Sequence, residues 1–120
     1  MTSKETLKYI LKAIDSKHGK EIEVLDINGI SPLGDYFVIA TGGSSSQVKA
    51  MSDEIEDIMT KNGLEPKKIE GKETCQWVLM DYRDIIIHLF SKESREFYSL
   101  DKVWQDAPRL ELSEFGIEAE

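Results

Sequence analysis

The stretch WVLMDYRDIIIHLF, residues 77–90, reads as two strands joined by a tight turn. With Tyr82-Arg83 as the two turn residues, Asp81 falls opposite Asp84, Leu79 opposite Ile86, and Trp77 opposite His88. These six then share one face. Val78, Met80, Ile85, Ile87 and Leu89 fill the other, with no polar atom beyond a thioether, so that face is predicted to meet the main core. The first face mixes aromatic, apolar and charged groups. It must be part wet or covered by something polar. Tyr-Arg does not suit a two-residue turn, which prefers residues that accept positive φ, and a one-residue slip would exchange the faces.

Working outward, DYFVIAT (residues 35–41) is an apolar run beside glycines, the pattern of a strand buried on both sides. GGSSS leads from it into a helix. Ser44 and Gln47 are spaced as a capping box, Val48, Met51, Ile55, Ile58 and Met59 form the apolar stripe, and Asn62-Gly63 ends it. The acids Asp53, Glu54, Glu56 and Asp57 line its solvent side. Upstream, Thr2 and Glu5 are spaced as another capping box. Leu7, Ile10, Leu11 and Ile14 recur at helical spacing, and Lys17, His18 and Gly19 mark the end. Residues 21–27 are a further strand. Residues 65–71 form a short one near an edge, because Pro66 cannot donate to a ladder. Residues 91–104 read as one or two short helical turns. The order predicts an α/β fold, a single mixed sheet with flanking helices. Residues 1–108 are expected as one domain, and 109–120 as a flexible acidic C-terminal tail.

With 120 residues, 40% hydrophobic and 32% charged, the chain suits one globular domain with its own core. Its one cysteine, Cys75, allows no internal disulfide and no multi-thiolate metal cluster, in keeping with a reducing cytoplasm. No apolar run approaches a membrane span, and MTSKETLKYI lacks the apolar region of a secretory signal. The net charge of −8 and the absence of a Lys/Arg cluster longer than Lys67-Lys68 argue against direct nucleic-acid binding. An acidic surface better matches a basic protein partner.

Three readings of the mixed face compete. It is a second core, with Trp77 stacked under Tyr98 or Trp104. It is a metal or catalytic site built on Asp81, Asp84 and His88, an assortment common by chance. Or it is a docking surface anchored by Trp77, to which SREFYSLDKVW adds Arg95, Phe97, Tyr98, Leu100 and Trp104; not all of these can face one small core. GGSSS could present free N–H groups to a phosphate. It also resembles the Gly-Ser turn of nucleotidyltransferases, but a following strand with two carboxylates two residues apart is missing, and so is P-loop spacing. A serine-capped turn is the simpler reading.

The blocks DYFVIATGGSSSQVKA (residues 35–50) and IEGKETCQWVLMDYRDIIIHLFSKESREFYSLDKVWQDAPR (residues 69–109) resemble the ribosomal silencing factor family, also called RsfS or iojap. The resemblance spans residues 7–109. Arg83 departs from it, since the family commonly has glycine there. The resemblance implies a nucleotidyltransferase-like fold without the catalytic carboxylates, no enzymatic activity and no cofactor. It implies binding to large-subunit ribosomal protein number fourteen on the face where the small subunit docks. Subunit joining would be blocked by occlusion, translation repressed when nutrients are scarce, and a homodimer formed by the free protein. Carried onto this chain, the contact surface would centre on Trp77 with His88 beside it. Asp81 and Asp84 would pair with basic groups, and Arg95, Tyr98, Leu100, Lys102 and Trp104 would complete the patch.

Overall fold

A computed structural model describes residues 2–32, 34–98, 102 and 104–117. Helix α1 (Ser3–Ser16) opens where the Thr2 hydroxyl accepts the Glu5 N–H. It buries Leu7, Ile10, Leu11 and Ile14, the stripe that the spacing predicts. Strands β1 (Lys20–Asp26) and β2 (Tyr36–Gly42) follow, then helix α2 (Ser45–Lys61). Strands β3 (Lys68–Glu70), β4 (Trp77–Asp81) and β5 (Ile85–Ser91) lead into the short helix α3 (Lys92–Tyr98), and residues Leu112–Phe115 form a 3-10 turn.

The five strands make one open sheet in the order β1-β2-β5-β4-β3. β2 runs parallel to β5, and the other neighbours are antiparallel, so the sheet is mixed. β5 lies at its centre and is buried along its whole length. The short β3 sits at one edge, as Pro66 suggests.

Gln47 joins the two long helices at their ends. Its amide oxygen accepts the Gly43 N–H at 2.6 Å, and its NH2 donates to the Lys17 and His18 carbonyls at 3.0 and 2.8 Å. Ser44 Oγ accepts the Gln47 N–H at 3.1 Å. The Gly43 and Gln47 N–H groups are thus satisfied by the chain itself, which favours the capped-turn reading of GGSSS over a phosphate cradle.

The main core lies between the two long helices and one face of the sheet. It holds Val78, Met80, Ile85, Ile87 and Leu89, the dry side of the hairpin. The mixed face covers a second, smaller core of Leu25, Ile27, Phe37, Ile39, Ile86, Phe90 and Ala107, with Trp77, Leu79 and Trp104 packed against it.

The hairpin register differs from the expected one. Trp77 pairs with Phe90, Leu79 with His88, and Asp81 with Ile86, a displacement of two residues. The turn residues are Arg83-Asp84, not Tyr82-Arg83: the Tyr82 N–H donates to the Ile85 carbonyl at 2.9 Å, and the Asp84 N–H to the Tyr82 carbonyl at 3.0 Å. Arg83 adopts φ 74°, and Asp81 Oδ1 accepts its N–H at 2.8 Å. The turn does demand positive φ, and the hairpin meets the demand at Arg83. Because the displacement is even, the strand residues stay on their expected faces, and only Asp84 leaves the mixed face for the turn.

The expected tail packs as far as residue 117. The Leu110 N–H donates to the Val24 carbonyl at 2.9 Å and the Asp26 N–H to the Pro108 carbonyl at 2.8 Å, which closes part of the outer edge of β1. Phe115 and Ile117 are buried in the main core. Residues 118–120 lie outside the described residues. No helix is long and apolar enough to cross a membrane among the described residues.

Candidate docking surface

The site is built on the mixed face, where β4 begins and β5 ends. Trp77 is the first residue of β4. The turn before it closes at Gly71, which has φ 89° and lies so near the Trp77 carbonyl that any side chain there would collide with it. Across the ladder, Trp77 meets Phe90, with ring centroids 5.0 Å apart. Diagonally, its indole Nε1–H donates to His88 Nδ1 at 3.1 Å.

His88 is only 4% exposed. Burial pushes its pKa down to about 4, so the imidazole is neutral near pH 7. Nδ1 accepts from Trp77, which leaves the proton on Nε2. That Nε2 is buried and has no hydrogen-bond partner among the described residues. The ring meets Phe37 edge-on, with centroids 4.8 Å apart and planes at 73°. A buried neutral imidazole, already serving as acceptor for an indole, suits an aromatic framework better than proton transfer.

From Trp77 the rings continue both ways. Tyr98 lies 4.6 Å from Trp77, and Phe97 lies 5.1 Å from Tyr98. On the other side, His88 leads to Phe37, and Phe37 to Trp104 at 5.3 Å. The inner rings are buried and the outer end is open, with Tyr98 47% and Phe97 81% exposed. Trp77 is therefore part of a second core, as the first of the competing readings expects, and it stands beside two exposed rings.

Helix α3 is held against the sheet from beneath. Ser91 Oγ accepts the Ser94 N–H at 3.2 Å and donates to Gln76 Oε1 at 2.8 Å. Arg95 is 6% exposed; its guanidinium donates to the Glu21 carbonyl, Thr41 Oγ1 and Glu23 Oε2 at 2.9, 2.9 and 3.0 Å.

The expected site residues are thus only partly gathered. Trp77, His88, Tyr98 and Trp104 join one strip through Phe37. Asp81 and Asp84 lie at the other end of the hairpin, with Asp81 four residues or about 13 Å along β4 from Trp77. Asp81 is buried and bonded to the turn, whereas Asp84 is exposed. Arg95 faces inward, Lys102 is exposed, and Leu100 lies outside the described residues. Among the described residues no three His, Cys, Asp or Glu side chains gather as a metal site.

Phe97, left undecided between core and surface in the sequence, is the most exposed large apolar side chain described. Its exposure follows from the burial of Arg95. Two residues along a helix turn about 200°, so an inward Arg95 sends Phe97 outward. Arginine is ordinarily the exposed partner of such a pair, which inverts the reading.

A family model described as ribosomal silencing factor during starvation matches residues 1–120. The chain is 43% identical over 117 residues to ribosomal silencing factor RsfS of Bacillus subtilis, spanning 98% of both proteins. It is 31% identical over 98 residues to mouse mitochondrial assembly of ribosomal large subunit protein 1, covering 79% of this chain and 43% of that protein. A crystal structure of a Bacillus halodurans protein superposes with a TM-score of 0.82 at 36% identity, covering 92% of this chain and all of that one. With its whole length matched by the family model and its fold shared with a solved relative, the chain belongs to the ribosomal silencing factor family.

Proposed function

We propose that this protein binds the large ribosomal subunit through the open end of the aromatic strip, and that its contact there is large-subunit ribosomal protein number fourteen. Bound at the surface where the small subunit docks, it blocks subunit joining by occupying the space and so represses translation under nutrient limitation. The reading needs no chemistry, no cofactor and no metal, and it puts the protein where ribosomes are, in the cytoplasm.

The observation that carries the reading is the run of rings from buried Phe37 and His88 through Trp77 to exposed Tyr98 and Phe97. Exposed aromatics seated on a rigid base provide large contact area at little entropic cost, and Trp and Tyr dominate interface hot spots. The mouse relative's name, which joins it to assembly of the ribosomal large subunit, points to the same partner class. The net charge of −8 suits approach to a basic ribosomal protein.

The test is cosedimentation with purified large subunits, followed by addition of small subunits. Excess protein is expected to reduce the joined fraction. Trp77→Ala is expected to weaken binding by more than about 1 kcal/mol. Equal binding by a normally folded Trp77→Ala variant removes Trp77 as the anchor. A protein that leaves subunit joining unchanged removes the occlusion reading.

A further inference from the structure

The two ends of the aromatic strip are carried by separate pieces of chain, exposed Phe97 and Tyr98 by α3 and half-buried Trp104 by the turn at residues 104–107, and both pieces are tied to one carboxylate. Glu23 lies on β1, on the same face as Leu25 and Ile27 of the second core. Its Oε2 accepts from Arg95 Nη2 at 3.0 Å, and its Oε1 lies 3.6 Å from Arg109 Nε. Arg95 roots α3, which carries Phe97 and Tyr98. The Nη1 of Arg109 donates to the carbonyls of Trp104, Gln105 and Ala107 at 2.9, 3.3 and 2.8 Å, closing the turn that sets Trp104 against Phe37. A carboxylate can serve two guanidinium groups because each oxygen offers its own lone pairs.

We infer that Glu23 is a positioning residue for the docking surface: its two oxygens hold the Arg95 arm and the Arg109 arm in one arrangement, so partner binding depends on a side chain that does not belong to the exposed patch. This rests on the proposed function and deepens it. Removing Glu23 takes a carboxylate away from a guanidinium that is almost wholly buried. That is a costly state, which the chain relieves by letting Arg95, and α3 with it, move outward. The same change removes the ion pair that fixes the Arg109 side chain over the 104–107 turn, while the backbone bonds of residues 108–110 to β1 remain. Both arms therefore loosen together, whereas α1 and α2, whose packing does not involve Glu23, stay closed.

The test is hydrogen exchange on the full chain, read together with large-subunit binding. In Glu23→Ala, amides of residues 92–98 and of 104–107 are each expected to exchange about tenfold faster or more, with α1 and α2 unchanged, and binding is expected to weaken about tenfold. Glu23→Gln keeps an oxygen acceptor without the charge and is expected to fall between that variant and wild type. If Glu23→Ala does not fold, the same readings on Glu23→Gln decide. Faster exchange in one arm only overturns the coupling. Looser arms with wild-type binding overturn the positioning role. Wild-type protein that fails to bind large subunits removes the proposed function instead, and the exchange pattern still decides the coupling.

Discussion

His88 is where local chemistry and surface architecture meet. As the neutral acceptor for the Trp77 indole it fixes the tilt of the ring that links the buried and exposed parts of the strip. Its pKa is lowered by burial, from 6.5 to about 4, so between those values the unfolded chain binds the proton that the folded chain refuses. Stability from this group is therefore complete above about pH 6.5 and is lost as pH falls toward 4, by about 3 kcal/mol in all. In thermal unfolding from pH 7 to 4, wild type is expected to lose more stability than a folded His88→Phe variant. Parallel curves would show that His88 is not the group responsible. Below pH 4 the protonated Nδ1 can no longer accept, so the Trp77 hydrogen bond opens as well.

At the scale of an element, the hairpin shows how a turn sets the register of a sheet. Arg83 holds a left-handed conformation that costs an L-residue about 1–2 kcal/mol, part of it offset by the Asp81 carboxylate that accepts its N–H. Arg83→Gly relieves that cost but adds freedom to the unfolded chain. The net expectation is a gain of about 0.5–1 kcal/mol, seen as a higher urea midpoint at unchanged slope. A loss of stability would mean that Arg83 contributes contacts exceeding its strain. The turn also lies at the far end of β4 from Trp77, so the same variant is expected to leave large-subunit binding near wild type. Helix α3 shows the complementary case. Seven residues cannot hold themselves as a helix in water, so its position comes from Ser91, Gln76 and the buried Arg95 rather than from its own propensity.

For the molecule as a whole, the C-terminal segment is part of the packing. Phe115 and Ile117 close the main core beside α1, and the chain around Arg109 lies along the edge of β1. Phe115→Ala is expected to cost about 3 kcal/mol, measured by urea unfolding, with the docking strip left intact below the transition. A change under about 0.5 kcal/mol, the range of an ordinary surface substitution, would show that the segment adds little to the core. Because the two faces of the sheet carry different cores, this variant and those at the strip are expected to add without strong coupling.

The amino-acid sequence alone determined the two long helices, the mixed sheet and, Asp84 apart, the face on which each hairpin residue lies. Capping boxes and apolar periods are local signals, and side-chain alternation has a period of two, so even a two-residue error in register leaves each residue on its proper side. His88 and Tyr98 as neighbours of Trp77 were legible from the same alternation and the family resemblance, whereas Phe90 as its direct partner and Phe37 as the link to Trp104 were not. Three matters were decided only by the tertiary structure. The register is set by hydrogen bonds across the turn, and which non-glycine residue accepts positive φ depends on those bonds. The burial of Arg95 depends on acceptors more than fifty residues away in sequence, Glu21, Glu23 and Thr41, and no local pattern announces them. The exposure of Phe97 follows from that burial, because a helix that turns its arginine inward must turn its phenylalanine out.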